Sequence, residues 1–360
     1  MKWINQPGNY SGDTWHIAAA MASSPDISVI QTVMPRDIKT ARQARAFYRD
    51  IGISSARILC HFTDEDIESD LRLSRVQDRV KYVERNRAMA EDYLMSSGRE
   101  GHIPLHVYKA TCICMNKISH MGSATFRKYI QSTFTASLAS TMPHTVTGIR
   151  RITNAISPQT VLVVGRFAKY LKDYDASCER TMSIVNHARS AGRSCRLLAD
   201  TSSAECRKVS SECNLEVTDL YDLHEDTNDV DGTGRVDMRA TATFWHQLAE
   251  PNRNHVVIGG RSGSVDAAAY LGMAVAEWDV FNPEDPESLR LANMAPDLCS
   301  TINISRDDGF AHNSHYRRLS SAGECNEIAM AAHSAFDCVL SGETVSVIHE
   351  SQMHNYVIDE

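Results

Sequence analysis

No run in this 360-residue chain approaches the ~18 consecutive apolar residues of a membrane span. The first residues, MKWINQPGNYSGDTW, reach Pro7 and Gly8 before an apolar stretch can build, so no secretory leader is expected. The fifteen histidines form no HExxH, and neither a Walker loop nor GxGxxG occurs, so the chemistry of those motifs is not implied. Positive charge is not in excess: a net charge of −8 and a pI near 6.0 argue against a broad basic face for nucleic acid. Cys112-x-Cys114, read as part of a strand, lacks the second pair that four-coordinate zinc requires. The acidic stretch His224–Arg235 lacks EF-hand spacing, so no metal is expected there either. Ten cysteines scattered through apparent strands and helices read as the reduced thiols of a cytoplasmic protein.

What is present is ordinary globular material, 42% hydrophobic and 23% charged, which argues against extended disorder. The length exceeds what one core usually organises, so two domains of roughly 150–200 residues are expected. Apolar, β-branched runs alternate with helical spacing, the pattern of a parallel sheet covered on both faces. In the first half Lys2–Asn5, Ile27–Val33, Ala56–Phe62 and Ile103–Ala110 read as strands. Thr14–Ser23, Asp37–Asp50 and a charged segment from Thr63 toward Ser97 read as helices, and Ser119–Leu138 has helical spacing. Thr145–Pro158 shows little periodicity and serves as the linker.

The alternation then restarts. Thr160–Gly165, Cys195–Ala199, Leu215–Leu220, His255–Gly259 and Ala274–Trp278 read as strands. Ala176–Ala191, Ala204–Cys213, Val236–Glu250 and Ser264–Leu271 read as helices. The expected fold class is α/β: two Rossmann-like domains facing across a cleft, residues 1–150 and 151–360.

The strongest local signal is His255–Trp278, HVVIGGRSGSVDAAAYLGMAVAEW. A buried strand ends in Gly259-Gly260-Arg261-Ser262-Gly263-Ser264 and a small-residue helix begins at once. Glycines let backbone amides point outward, serine hydroxyls add donors, and a helix N-terminus favours an anion. The competing reading is a tight turn whose serines cap the helix. In Gly8–His16, GNYSGDTWH, Asp13 stands where a helix opens, as a base or as an N-cap. Ser119–Ser123, SHMGS, reads as a helix cap or an anion contact, and Phe244, Trp245 and Tyr270 read as core.

Three stretches resemble known families. The Ser/Gly turn, the small-residue helix and Leu271-Gly272-x-x-Val275 resemble the second Rossmann domain of GT-B glycosyltransferases, which holds the donor diphosphate there. Val161–Lys172, VLVVGRFAKYLK, is similar to O-fucosyltransferase-like enzymes, which place an Arg directly after this strand against the nucleotide phosphates. Arg166 has that place, between Gly165 and Phe167 rather than in a full HxRR. Asn9, Gly12 and Asp13 resemble, in order, the N-F-G-D loop of protein-arginine rhamnosyltransferases, whose Asp is the general base. Gly8 stands where that family has a further Asp.

The resemblance implies glycosyl transfer from a nucleotide-sugar to a small-molecule or peptide acceptor bound by the N-terminal half. Asp13 would be the base, with His16 one turn on as a second candidate. Arg166, Arg261, Ser262, Gly263 and Ser264 would surround the leaving diphosphate. The nucleotide-sugar is a co-substrate, and no resident cofactor is expected. Because folds are reused, one alternative is tRNA-dependent peptide-bond formation, as in fungal arginine-containing cyclodipeptide synthases. A catalytically inactive nucleotide-sugar-binding module is another.

Overall fold

The computed structural model describes residues 1–10, 12–64, 76–99, 101–136, 143–167, 178–219, 238–250, 252–260, 262–279 and 299–303. Of two compact units, the first takes in Met1–Ser140 and the second begins at Thr141.

In the first unit β1 (Lys2–Pro7), α1 (Thr14–Ser23), β2 (Ile27–Val33), α2 (Ile38–Asp50) and β3 (Ile58–Phe62) alternate as expected. The strands form a parallel sheet in the order β1-β2-β3, with Ile4 opposite Val29 and Val29 opposite Ile58. All seven residues of β2 are buried, as a strand covered on both faces requires. The helix α1 ends where the Arg57 guanidinium donates to Met21 O at 2.7 Å, Ser24 O at 2.8 Å and Ile27 O at 2.9 Å. Carbonyls beyond the last helical turn have no intrahelical donor, and Arg57 satisfies them. Three helices follow: α3 (Val76–Ser96), α4 (Lys109–Met121) and α5 (Ser123–Ala136). Phe134 of α5 packs at 5.3 Å from Phe47 of α2, which meets Trp15 of α1 edge-on at 5.0 Å.

Two expectations fail in this half. Ile103–Ala110 is not a strand: Leu105 alone bridges to Ile4, donating to Trp3 O at 2.6 Å and accepting from Asn5 N at 2.9 Å. Pro104 has no N–H for a ladder, and the carbonyls of His106 and Val107 turn back to Lys109 and Ala110. Cys112 and Cys114 therefore lie in α4 rather than in a strand, and both are buried.

The linker expectation is also corrected. Pro143–Asn154 is a helix, α6, that opens the second unit. Ile149 is buried at 1% exposure, and Thr153 Oγ1 donates to Gln247 Oε1 at 3.0 Å. Arg253 Nη1 donates to Thr153 O at 2.7 Å, and Ile149, Thr153 and Ile156, at i, i+4 and i+7, are all buried, so the segment carries helical periodicity that the sequence reading missed.

From there the chain runs β4 (Val161–Gly165), α7 (Cys178–Ser190), β5 (Cys195–Ala199), α8 (Ala204–Cys213), β6 (Glu216–Asp219) and α9 (Met238–Leu248). It continues through β7 (Val256–Gly260), α10 (Gly263–Tyr270), β8 (Ala274–Asp279) and β9 (Cys299–Asn303). All pairings are parallel, in the order β6-β5-β4-β7-β8-β9. Counted within the unit, that is 3-2-1-4-5-6, the doubly wound Rossmann arrangement. Val163, Leu197 and Ile258 of adjacent strands share one core with Val185 of α7 and Val209 of α8. Phe244 and Trp245, both at 0% exposure, are core as expected.

Cys60, Cys112, Cys114, Cys178, Cys195, Cys206 and Cys213 are thiols outside any disulfide. Among the described residues no helix is long and apolar enough to cross a membrane, and no group of three or more His, Cys, Asp or Glu could hold a metal ion.

At the amino end of β7, His255 is buried and accepts the Thr160 N–H through Nδ1 at 3.3 Å. Burial, helped by the nearby Arg253 charge, lowers its pKa from 6.5 to about 4. The unfolded chain thus takes up this proton at higher pH than the folded one. The stability that the neutral ring supports is complete above pH 6.5 and is lost as the pH falls toward 4, by at most about 1.4 kcal/mol per pH unit. His255→Asn keeps an acceptor near the Nδ1 position and should flatten that limb in urea unfolding followed across pH. An unchanged slope would assign the acid loss to other groups.

Candidate active site

The second sheet reverses its winding between β4 and β7: α7, α8 and their strands build outward from β4 on one side, and β7 starts the other half. In open α/β sheets the crevice outside the carboxyl ends of the strands flanking such a reversal is the ligand-binding position. Arg166 is the first residue after β4, partly exposed. Ser262, Gly263 and Ser264 follow β7 after one intervening residue, also partly exposed. The structure thus brings Arg166 to the same switch point as Ser262–Ser264, which lie almost 100 positions later in the sequence. Arg261 lies outside the described residues.

The serines do not cap α10. Ser262 stands at the N-cap in extended backbone, yet its side chain accepts no backbone N–H, and its buried Oγ has no hydrogen-bond partner. Its carbonyl is taken by the amides of Val265 at 3.1 Å and Asp266 at 3.0 Å. The amides ahead of those, in Gly263 and Ser264, precede the intrahelical ladder, as the first amides of any helix do. A hydroxyl, a helix N-terminus and an arginine thus stand at the ends of adjacent strands, residue types whose chemistry suits an anion.

Gly259 is required for this geometry. A Cβ there would come within 2.8 Å of Val265 Cγ2 and 3.1 Å of Val164 Cβ, so α10 sits on β7 and β4 with no room for a methyl. Gly259→Ala should therefore lower stability by roughly 1–3 kcal/mol, the cost of overpacking, and should weaken ligand binding by displacing α10. Wild-type unfolding and binding curves for that variant would show that the helix adapts without loss.

At the corresponding strand edge of the first unit, Gly8 follows β1 and donates its N–H to Thr32 O at 2.8 Å. A Cβ on Gly8 would meet Asp37 Cβ at 2.9 Å, so only glycine lets the loop lie this close to the end of β2. Asn9 Oδ1 accepts from Tyr82 OH at 3.0 Å. Asp13 occupies the N-cap of α1 without a side-chain cap bond, half-buried, and its charge helps push the Tyr48 phenol well above its ordinary range, where burial is the main cause. His16, one turn further, is buried at 1% exposure. Of the two base candidates, Asp13 is the one with solvent access.

A set of residues that sequence reading passed over supports this edge. Gln6 donates to Thr14 Oγ1 at 3.0 Å, while its own Oε1 accepts from Gln31 Nε2 at 3.0 Å and from Tyr48 OH at 2.9 Å. All four are buried. Their network fixes the first turn of α1, and with it the residue before, Asp13. The signal was present: Asn5-Gln6 and Gln31-Thr32 place paired polar residues toward the carboxyl ends of two buried strands. Ser119–Ser123, by contrast, spans the last turn of α4 and the first residue of α5, with Gly122 alone between the two helices. Gly122, at φ +81°, closes α4 with its N–H on Ile118 O at 2.8 Å. The acidic His224–Arg235 stretch lies outside the described residues.

No protein-family model matches the sequence, and no curated protein matches it. Among solved structures the chain is similar to a family 9 glycosyl transferase of Veillonella parvula, at 9% identity over 93% of this chain and 96% of that one, with a TM-score of 0.46. It is similar to the ADP-heptose LPS heptosyltransferase II of E. coli at 8% identity, over 92% and 99%, with a TM-score of 0.39. A third likeness, to the α,α-trehalose 6-phosphate synthase of Burkholderia multivorans, has 12% identity over 95% and 72% and a TM-score of 0.29. Overlaps this loose identify neither an activity nor a ligand.

Proposed function

We propose that this protein transfers a glycosyl group from a nucleotide-sugar to an acceptor hydroxyl or amine, with the donor bound by the second unit. One observation carries the reading: Arg166 and Ser262–Ser264 stand at the carboxyl ends of β4 and β7, the strands that flank the winding reversal. In the transfer, Asp13 takes the proton from the acceptor as its oxygen or nitrogen attacks the anomeric carbon. The bond from that carbon to the diphosphate oxygen breaks, and the diphosphate leaves with the electron pair. Negative charge develops on the leaving group, where Arg166 and the N-terminus of α10 would stabilise it. The nucleotide-sugar is a co-substrate, and the proposal includes no resident cofactor.

A thermal-shift screen against UDP, GDP, dTDP and aminoacyl-tRNA tests the reading. A ligand at a hundred times its Kd stabilises the folded state by about 2.7 kcal/mol, a readily measured shift. Stabilisation by a nucleoside diphosphate, reduced by about half or more in Arg166→Ala at the same ligand concentration, is expected. Stabilisation by aminoacyl-tRNA with none by any nucleotide would replace glycosyl transfer with peptide-bond formation.

A further inference from the structure

We infer that Cys178 and Cys213 are a redox-active pair, which a low-molecular-weight disulfide oxidises to a reversible clamp between α7 and α8. Cys178 is the first residue of α7 and Cys213 the last of α8. Their thiols hydrogen-bond to one another, and Cys213 Sγ also donates to Cys178 O at 3.8 Å. The fold has thus brought together two sulfurs 35 positions apart in sequence, the contact from which an S–S bond of ~2.05 Å closes. Cys178 is partly exposed and Cys213 is buried at 1% exposure, so a dissolved disulfide meets Cys178 first.

The Cys178 thiolate attacks one sulfur of the small disulfide, breaks its S–S bond and releases one half. The Cys213 thiolate then attacks Cys178 Sγ, which closes the protein disulfide and releases the second half. Two electrons pass from the cysteines to the small disulfide, and its two halves leave as thiols carrying the two protons. Glu212 sets the pace. Its Oε2 accepts the Cys178 S–H at 2.6 Å and so holds Cys178 in the thiol form. Burial above all, then Glu212 and Cys213, pushes the Cys178 pKa up to about 12, and burial raises that of Cys213. Little thiolate is present at neutral pH, so the clamp closes slowly. Thiols of high pKa are also poor leaving groups, so the closed clamp resists reduction. The link ties residues 178–213, which carry α7, β5 and α8, into one closed loop and stabilises the second unit.

Incubation of the full chain with glutathione disulfide at about pH 8, followed by peptide mapping without reductant, tests the pair. A linked Cys178–Cys213 peptide should form over hours. Glu212→Gln removes the charge that retains the Cys178 proton. It should speed closure about threefold for each pH unit by which that pKa falls, because tenfold more thiolate outweighs its lower nucleophilicity. The oxidised protein should melt about 5–10 °C higher, a gain that dithiothreitol reverses and that Cys178→Ser or Cys213→Ser abolishes. Absence of the linked peptide from folded wild type, or its formation only after unfolding in urea, would overturn the pairing. Unchanged or slower closure in Glu212→Gln would overturn the part given to that carboxylate.

Discussion

Asp13→Asn should lower turnover by about 10²–10⁴, the usual contribution of a general base, while nucleotide affinity stays at the wild-type value. The structural role of Asp13 makes asparagine the informative substitution. At the N-cap of α1 its side chain makes no cap bond, and Asn is as good a cap as Asp. The first turn of α1 is fixed by Thr14, Gln6, Gln31 and Tyr48, none of which is altered. A loss of turnover therefore reports on proton transfer and not on the helix. Turnover is read as release of nucleoside diphosphate, and affinity by calorimetry on the same preparation. Near-wild-type turnover would remove Asp13 from the chemistry. His16→Gln would then be the next test, because His16, although buried, lies one turn along the same helix.

Arg166→Ala should weaken binding of the nucleotide diphosphate by about 1.5–3 kcal/mol, or roughly 10- to 100-fold. The residue follows β4 immediately, and Gly165 before it has no space for a side chain. A Cβ there would lie 2.9 Å from Leu197 Cδ1 and 3.0 Å from Ala199 Cβ. The backbone that carries Arg166 is thus held tightly against β5 and has little freedom to compensate. Arg166→Lys separates charge from geometry: lysine keeps the positive charge but loses the planar fork that grips two phosphate oxygens. Partial rescue by lysine is expected to fall as salt rises. Unchanged affinity in folded Arg166→Ala would exclude the end of β4 from the donor site.

Much of the fold was legible because parallel strands buried on both faces must be apolar along their length. VLVVG, VVIGG and the apolar part of ISVIQTV announce themselves for that reason, and helices such as α1 and α8 match their expected bounds residue for residue. Errors arose where local pattern and tertiary contact disagree. Ile103–Ala110 has strand-like residues, but Pro104 removes a donor and a turn at His106 starts α4, leaving the single bridge at Leu105. Pro143–Asn154 reads as a linker because Thr, Arg, Asn and Pro are frequent around it, yet Ile149, Thr153 and Ile156 recur at helical spacing and are buried, and Gln247 and Arg253 contact that helix.

The candidate site divides in the same way. Sequence alone determined that Arg166 follows a buried strand, that Ser262, Gly263 and Ser264 open a helix after another, and that Asp13 opens α1, because strand and helix signals are local. Which strands are neighbours is not local. Only the tertiary structure set β4 against β7, placing Arg166 and Ser262 at one winding reversal. Strand order follows from how whole helices pack on the two faces of the sheet, and no short stretch of sequence records it.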